Sequence, residues 1–226
     1  MTAILFGSIS TLADTSELQR RAFNEAFAAH GLDWNWSQED YRAMLGSNGG
    51  AGRIGEYATS VGADVDAAAV HATKSEVFQK LIAESGVTPR PGVADVVEAA
   101  KAKGVKLGFV TTTSRANIDA LLSALEEHLG SEPFDLVVDS DAVGEPKPDG
   151  ACYLWALEHL GEDPLKAVAI EDNVGGVKAA AAAGIACIAF PNENTEGADF
   201  DAAAETVNRL DQRHVISLAT SERTMR

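Results

Sequence analysis

The chain has 226 residues, enough for one large domain or for a core with a smaller added module. Its formal net charge of -16 and pI near 4.6 argue against a nucleic-acid or membrane-surface partner, because both demand a basic face. No apolar run reaches the ~18 residues of a membrane span, the N-terminus lacks the pattern of a signal peptide, and Cys152 and Cys187 lack paired spacing. These features predict buried thiols and a cytoplasmic protein.

Short apolar runs alternate with helix-period segments, which predicts an α/β fold: a Rossmann-like parallel sheet with helices on both faces. In chain order, strands are expected over residues 3–6, 106–111, 136–139, 167–170 and 186–190, with helices over 93–103, 116–129, 151–160 and 174–183. The interval 15–90 breaks the alternation, because it reads as consecutive helices with no strand. It is expected to be an inserted helical cap, with residues 1–14 and 91–226 forming the core. The stiff run Thr88-Pro89-Arg90-Pro91-Gly92-Val93 marks the return to the core. The tail from about residue 212 is polar and expected to be loosely held.

Four short segments carry the chemistry. The first is Ile4-Leu5-Phe6-Gly7-Ser8-Ile9-Ser10-Thr11-Leu12-Ala13-Asp14-Thr15, a strand running through small residues into a helix start. In the second, Thr111 and Thr112 end a strand just before a helix, where hydroxyls and free amides suit phosphate oxygens, although such clusters are also ordinary caps. The third places Lys147 between two prolines in Gly144-Glu145-Pro146-Lys147-Pro148-Asp149. The fourth is Ile170-Glu171-Asp172-Asn173-Val174-Gly175-Gly176, whose adjacent carboxylates at a strand end require a counter-charge, either Lys147 or a cation.

Taken together, their order resembles the haloacid dehalogenase-like superfamily, whose first motif reads F-D-x-D-G-T-L-x-D-[ST]. The helical insertion resembles the beta-phosphoglucomutase and CbbY-type subfamily. Its Gly-rich cap loop is similar to Met44-Leu45-Gly46-Ser47-Asn48-Gly49-Gly50-Ala51-Gly52-Arg53-Ile54, with Arg53 matching and Ala51 standing where the family has Lys. In an intact member the resemblance implies magnesium-assisted phosphoryl transfer through an aspartyl phosphate. Here the nucleophile position is Gly7 and the acid/base position is Ile9. What the resemblance leaves is Lys147 in a catalytic role, Thr111, Thr112 and Arg53 for substrate, and Asp172 with Glu171 for a weak magnesium site.

Ser8, Ser10, Thr11 and Asp14 are the neighbouring groups able to replace the lost side chains. Strand alternation, however, is expected to turn Ser8 away from the side that Gly7 faces, and capping is the plainer role for Asp14. Three readings stay open: an inactive homologue that binds a phosphorylated small molecule or a protein partner, an active phosphatase with a displaced nucleophile, and a structural or regulatory subunit.

Overall fold

A computed structural model of the protein describes residues 2–46 and 49–221. Met1, residues 222–226 of the tail, and Ser47 and Asn48 of the Gly-rich cap loop lie outside the described residues.

Among the described residues, six parallel strands form one sheet, with order β3-β2-β1-β4-β5-β6. They are β1 (Ala3–Phe6), β2 (Lys106–Val110), β3 (Leu136–Val138), β4 (Ala167–Glu171), β5 (Ala186–Ala189) and β6 (Glu205–Thr206). β1 lies inside the sheet, with Phe6 opposite Phe109 on β2 and Ile170 on β4. Its four residues are fully buried, as a strand covered on both faces must be.

Alternation along the strands splits the core in two. Ile4, Phe6, Leu107, Phe109, Val168 and Ile170 face α6 (Val93–Lys103) and α11 (Gln212–Thr220). Ala3, Leu5, Val110, Ala167, Ala169 and Cys187 face α9 (Ala151–Leu160) and α10 (Val174–Ala182). Both cysteines are buried free thiols.

After the short helix α1 (Ile9–Leu12), the chain forms α2 (Ser16–Ala29), α3 (Gln38–Ala43), α4 (Gly50–Ser60) and α5 (Ala67–Ser85). Phe23, Phe27, Trp36 and Tyr41 pack with Ile54 and Val70 as a separate aromatic cluster. α5 bridges the two regions, because Val70 belongs to that cluster whereas Phe78, Leu81 and Ile82 join the core beside the sheet. The return to the sheet is fixed at Gly92, whose φ is +88° and whose Cα packs so closely that a Cβ would meet the Leu210 carbonyl oxygen at 2.1 Å. Arg90 secures the same turn, donating to the carbonyls of Ser10 at 3.1 Å and Phe190 at 2.7 Å.

The structure corrects three expectations. Residues 212–220 are not a loose tail: α11 is capped by Asp211 and buries Val215, Ile216 and Ala219 in the core. The apolar spacing is helical, but it is hidden among polar residues. The helix expected over 116–129 is divided at Leu125 into α7 (Arg115–Ala124) and α8 (Glu126–Leu129), where the Leu125 N–H is shared between the carbonyls of Leu121 and Leu122 at 3.0 and 3.2 Å. β6, only two residues long, carries no readable periodicity and forms by pairing with β5.

Candidate functional site

The first, second and fourth sequence segments follow the C-terminal ends of β1, β2 and β4, which are neighbours in the sheet. Parallel pairing therefore gathers residues distant in sequence at one edge, where α/β sheets form their ligand crevices. A cleft of about 780 Å³ opens there. Its sheet side presents Ser8, Ile9, Thr111, Thr112, Lys147, Asp172, Asn192 and Thr195, and its helical side presents Gln19, Arg53, His71 and Lys74.

Lys147 is buried, and its Nζ donates to Glu171 Oε1 at 2.6 Å and to the Val110 carbonyl at 2.8 Å. Tyr153, on α9 beneath the sheet, donates its phenol to the same carboxylate oxygen at 2.7 Å. Glu171 is completely buried and does not line the cleft. Burial raises its carboxyl pKa, with Lys147 opposing the shift, and among the described residues Oε2 has no hydrogen-bond partner.

The absence of a side chain at Gly7 makes this placement possible. A Cβ built there would lie 2.0 Å from the Glu171 carboxyl carbon, and one at Gly176 would lie 2.1 Å away. Two glycines thus form a slot that Glu171 fills, and any larger residue at position 7 must displace it. Ile9, where the family resemblance would put an acid/base Asp, joins the apolar core through its buried side chain.

Asp172 is nearly buried and surrounded by donors. Ser8 Oγ donates to Oδ1, as do Asn173 Nδ2 at 2.9 Å and Thr11 Oγ1 at 3.5 Å, while Asn192 Nδ2 donates to Oδ2 at 2.5 Å. Thr195 Oγ1 fixes the Asp172 carbonyl at 2.6 Å. Ser8 thus meets Asp172 in the cleft, whereas a Cβ at Gly7 would meet Glu171 outside it; β1 ends at Phe6, and Ser8 is the N-cap of α1 yet makes no cap bond with its hydroxyl. Asp14 has a structural role, accepting from Ser16 Oγ at 2.7 Å and from the Glu193 N–H at 3.0 Å.

Thr111 is buried at the cleft floor, where its Oγ1 accepts from the Thr113 N–H at 3.3 Å, and Thr112 is exposed at the rim. Arg53 lies on the opposite wall, bonded to the Met44 carbonyl at 3.0 Å and placed over the rings of Phe23 and Tyr41. Sequence reading missed Asn192, Thr195, Tyr153 and Lys74 as site residues. The Asn and Thr residues after β5 were the available signal for the first two; Tyr153 and Lys74 lie within ordinary-looking helices.

Among the described residues, no three His, Cys, Asp or Glu side chains are grouped to hold a metal ion. Glu171 is withdrawn to Lys147 and Tyr153, Gly7 contributes no oxygen from a side chain, and the oxygens of Asp172 face hydroxyl and amide donors. The residues as arranged do not fit a magnesium ion, which prefers several hard oxygen ligands in octahedral geometry.

A parallel α/β sheet with a helical insertion and these four loops at one sheet edge defines the class. The chain belongs to the haloacid dehalogenase-like hydrolase family, whose sequence model matches residues 1–184. It is 41% identical over 206 residues to the CbbY protein of Rhodobacter capsulatus, covering 90% of this chain and 91% of that one. The crystal structure of CbbY from Rhodobacter sphaeroides in complex with phosphate superposes with a TM-score of 0.86 at 41% identity, covering 92% of this chain and 95% of that one. A mutant of the same CbbY in complex with xylulose-(1,5)bisphosphate has the same TM-score, identity and coverage. Members of this family generally use magnesium.

Proposed function

We propose that the protein binds a phosphorylated sugar or polyol and does not process it through an aspartyl phosphate. The observation that carries this reading is the place of Glu171: its carboxyl fills the slot beside Gly7 where a nucleophilic side chain would project. Glycine offers no oxygen to attack phosphorus, and the hydrocarbon of Ile9 cannot protonate a leaving group. The relative bound to xylulose-(1,5)bisphosphate supports the ligand class. Magnesium affinity is weak on this reading, because Lys147 takes the place of a cation beside Glu171. The two free buried thiols accord with a reducing cytoplasm, and no described helix is long and apolar enough to cross a membrane.

The test pairs calorimetric binding of sugar monophosphates and bisphosphates with phosphate release in the presence of magnesium, using Asp172→Asn as control. Binding without release is expected. Release that Asp172→Asn abolishes would sink the inactive reading.

The contact of Ser8 with Asp172 favours a second reading, an active phosphatase with a displaced nucleophile. In it, Ser8 Oγ bonds to phosphorus as the ester P–O bond breaks, and the hydroxyl proton passes through Asp172 to the departing alkoxide. Water then cleaves the phosphoserine to inorganic phosphate. Phosphoserine at Ser8 in the peptide mass spectrum, absent after Ser8→Ala, would establish it.

A further inference from the structure

The cleft is lined by Tyr41 of α3 and by Asn192 and Thr195 of the turn that follows β5. Side chains of the helical insertion cross to that turn. Gln38 and Arg42 are one helical turn apart on α3, so they share a face. Gln38 Nε2 donates to Glu193 Oε1 at 2.9 Å, and Arg42 donates to the Glu193 carbonyl at 2.6 Å and to Asn194 Oδ1 at 3.3 Å. From α2, Glu17 accepts from Asn194 Nδ2 at 2.8 Å. Arg20 bonds to Glu17 at 2.9 Å and to the Trp36 carbonyl at 2.8 Å, just ahead of the capping box of Ser37 and Asp40 that starts α3, so the face that grips the turn is itself fixed.

The inner side of the same turn faces the sheet. Asn192 Oδ1 accepts from the N–H groups of Asn194 at 2.8 Å and Thr195 at 3.1 Å, while its Nδ2 donates to Asp172. Thr195 adds its bond to the Asp172 carbonyl, and Asn192, Asn194 and Thr195 are all buried. A single amide side chain thus joins the backbone that α3 grips to the carboxylate in the cleft.

Elsewhere the insertion is attached differently. α5 packs Phe78, Leu81 and Ile82 into the core beside the sheet, and the Arg90 N–H bonds to the Leu12 carbonyl at 2.8 Å, tying the two connecting segments together. Apolar packing anchors that side, whereas α3 meets the turn through hydrogen bonds that water can replace.

We infer that residues 192–195 form a latch, which holds α3 and the insertion closed over the cleft and makes Arg42 a positioning residue for Asp172 through Asn192. Every contact lies within the chain, so closure requires no ligand. The inference goes beyond the phosphosugar-binding reading and stands whichever small molecule the cleft takes.

The experiment measures the distance between spin labels on Ser60→Cys of α4 and Glu158→Cys of α9, both exposed positions, by double electron–electron resonance in the full-length chain without added ligand. Cys152 and Cys187 are buried, which leaves the introduced thiols to react. The native sequence at the latch is expected to give one narrow distance distribution. Arg42→Ala removes two bonds and is expected to add a second, longer distance, raising the open fraction by about tenfold; Gln38→Ala should do the same more weakly. Arg21→Ala, which breaks only an exposed pair with Glu25, is the control and should leave the distance unchanged. Nitrogen-15 NMR of the Asn192 side-chain amide reads the coupling: its signals should shift in Arg42→Ala, although Arg42 bonds to Glu193 and Asn194 rather than to Asn192. Two distances with the latch intact, or one unchanged distance in both latch variants, would overturn the latch. Opening in Arg42→Ala with the Asn192 signals unmoved would overturn the positioning role.

Discussion

Lys147 Nζ lies 2.6 Å from Glu171 Oε1 in a site where neither side chain is more than marginally exposed. The pair joins the loop after Pro146 to the end of β4, and its carboxylate fills the slot beside Gly7. Buried pairs of this kind contribute little net stability over apolar replacements, but removing one partner strands the other charge.

Lys147→Met is therefore expected to cost roughly 3–5 kcal/mol and lower Tm by about 10 °C. Glu171→Gln combined with Lys147→Met should recover most of that loss, since no unpaired charge remains. Urea denaturation of the two single variants and the double variant measures the coupling; additive losses would mean that the pair is not an energetic unit.

Gly7→Ala places a Cβ 2.0 Å from the Glu171 carboxyl carbon and must expel that side chain or shift the loop. A loss of about 2 kcal/mol is expected, typical of overpacking a filled site. Gly7→Asp with Ile9→Asp is expected to displace Glu171 toward the cleft, bind Mn²⁺ by electron paramagnetic resonance, and acquire hydrolysis of a simple phosphate ester. It should also be less stable, because Ile9 belongs to the apolar core. A folded variant that binds Mn²⁺ yet shows no turnover would mean that the remaining groups are not poised for the family's chemistry.

Lys74 titrates at about 7 in the folded protein, against a usual 10.5. Between those values the unfolded chain holds more protons, so stability rises with pH from about 7 to 10.5 and is weakest below that window. Lys74→Met should flatten this rise and raise stability at pH 7 by on the order of 4 kcal/mol. His71, lowered to about 4 by burial and then by Lys74 and Arg53, acts in the same direction at lower pH, so the comparison belongs above pH 7. Equal pH slopes for native and variant proteins in chemical denaturation would refute the assignment.

Val215 and Ile216 are buried among the residues that α11 packs against the sheet. Truncating both to Ala is expected to cost roughly 2–4 kcal/mol, and amides of residues 215–220 should be protected from hydrogen exchange in the native chain. Rapid exchange throughout that segment would restore the picture of a loose tail.

The sequence by itself determined the fold class, five of the six strands and the order of the loops at the sheet edge, because continuous apolar strands and amphipathic helices are local signals. It also determined that positions 7 and 9 carry glycine and isoleucine, and that Lys147 and the Glu171-Asp172 pair accompany them. Tertiary structure alone decided where Glu171 points, since the slot is made by Gly7 after β1 and Gly176 in the first turn of α10, and the anchors Lys147 and Tyr153 come from elsewhere. It likewise turned Ser8 onto Asp172 and set Lys74 across the cleft with no carboxylate partner among the described residues. Such arrangements depend on packing between residues far apart in the chain, and neither periodicity nor motif spacing encodes the direction of a side chain after its strand has ended.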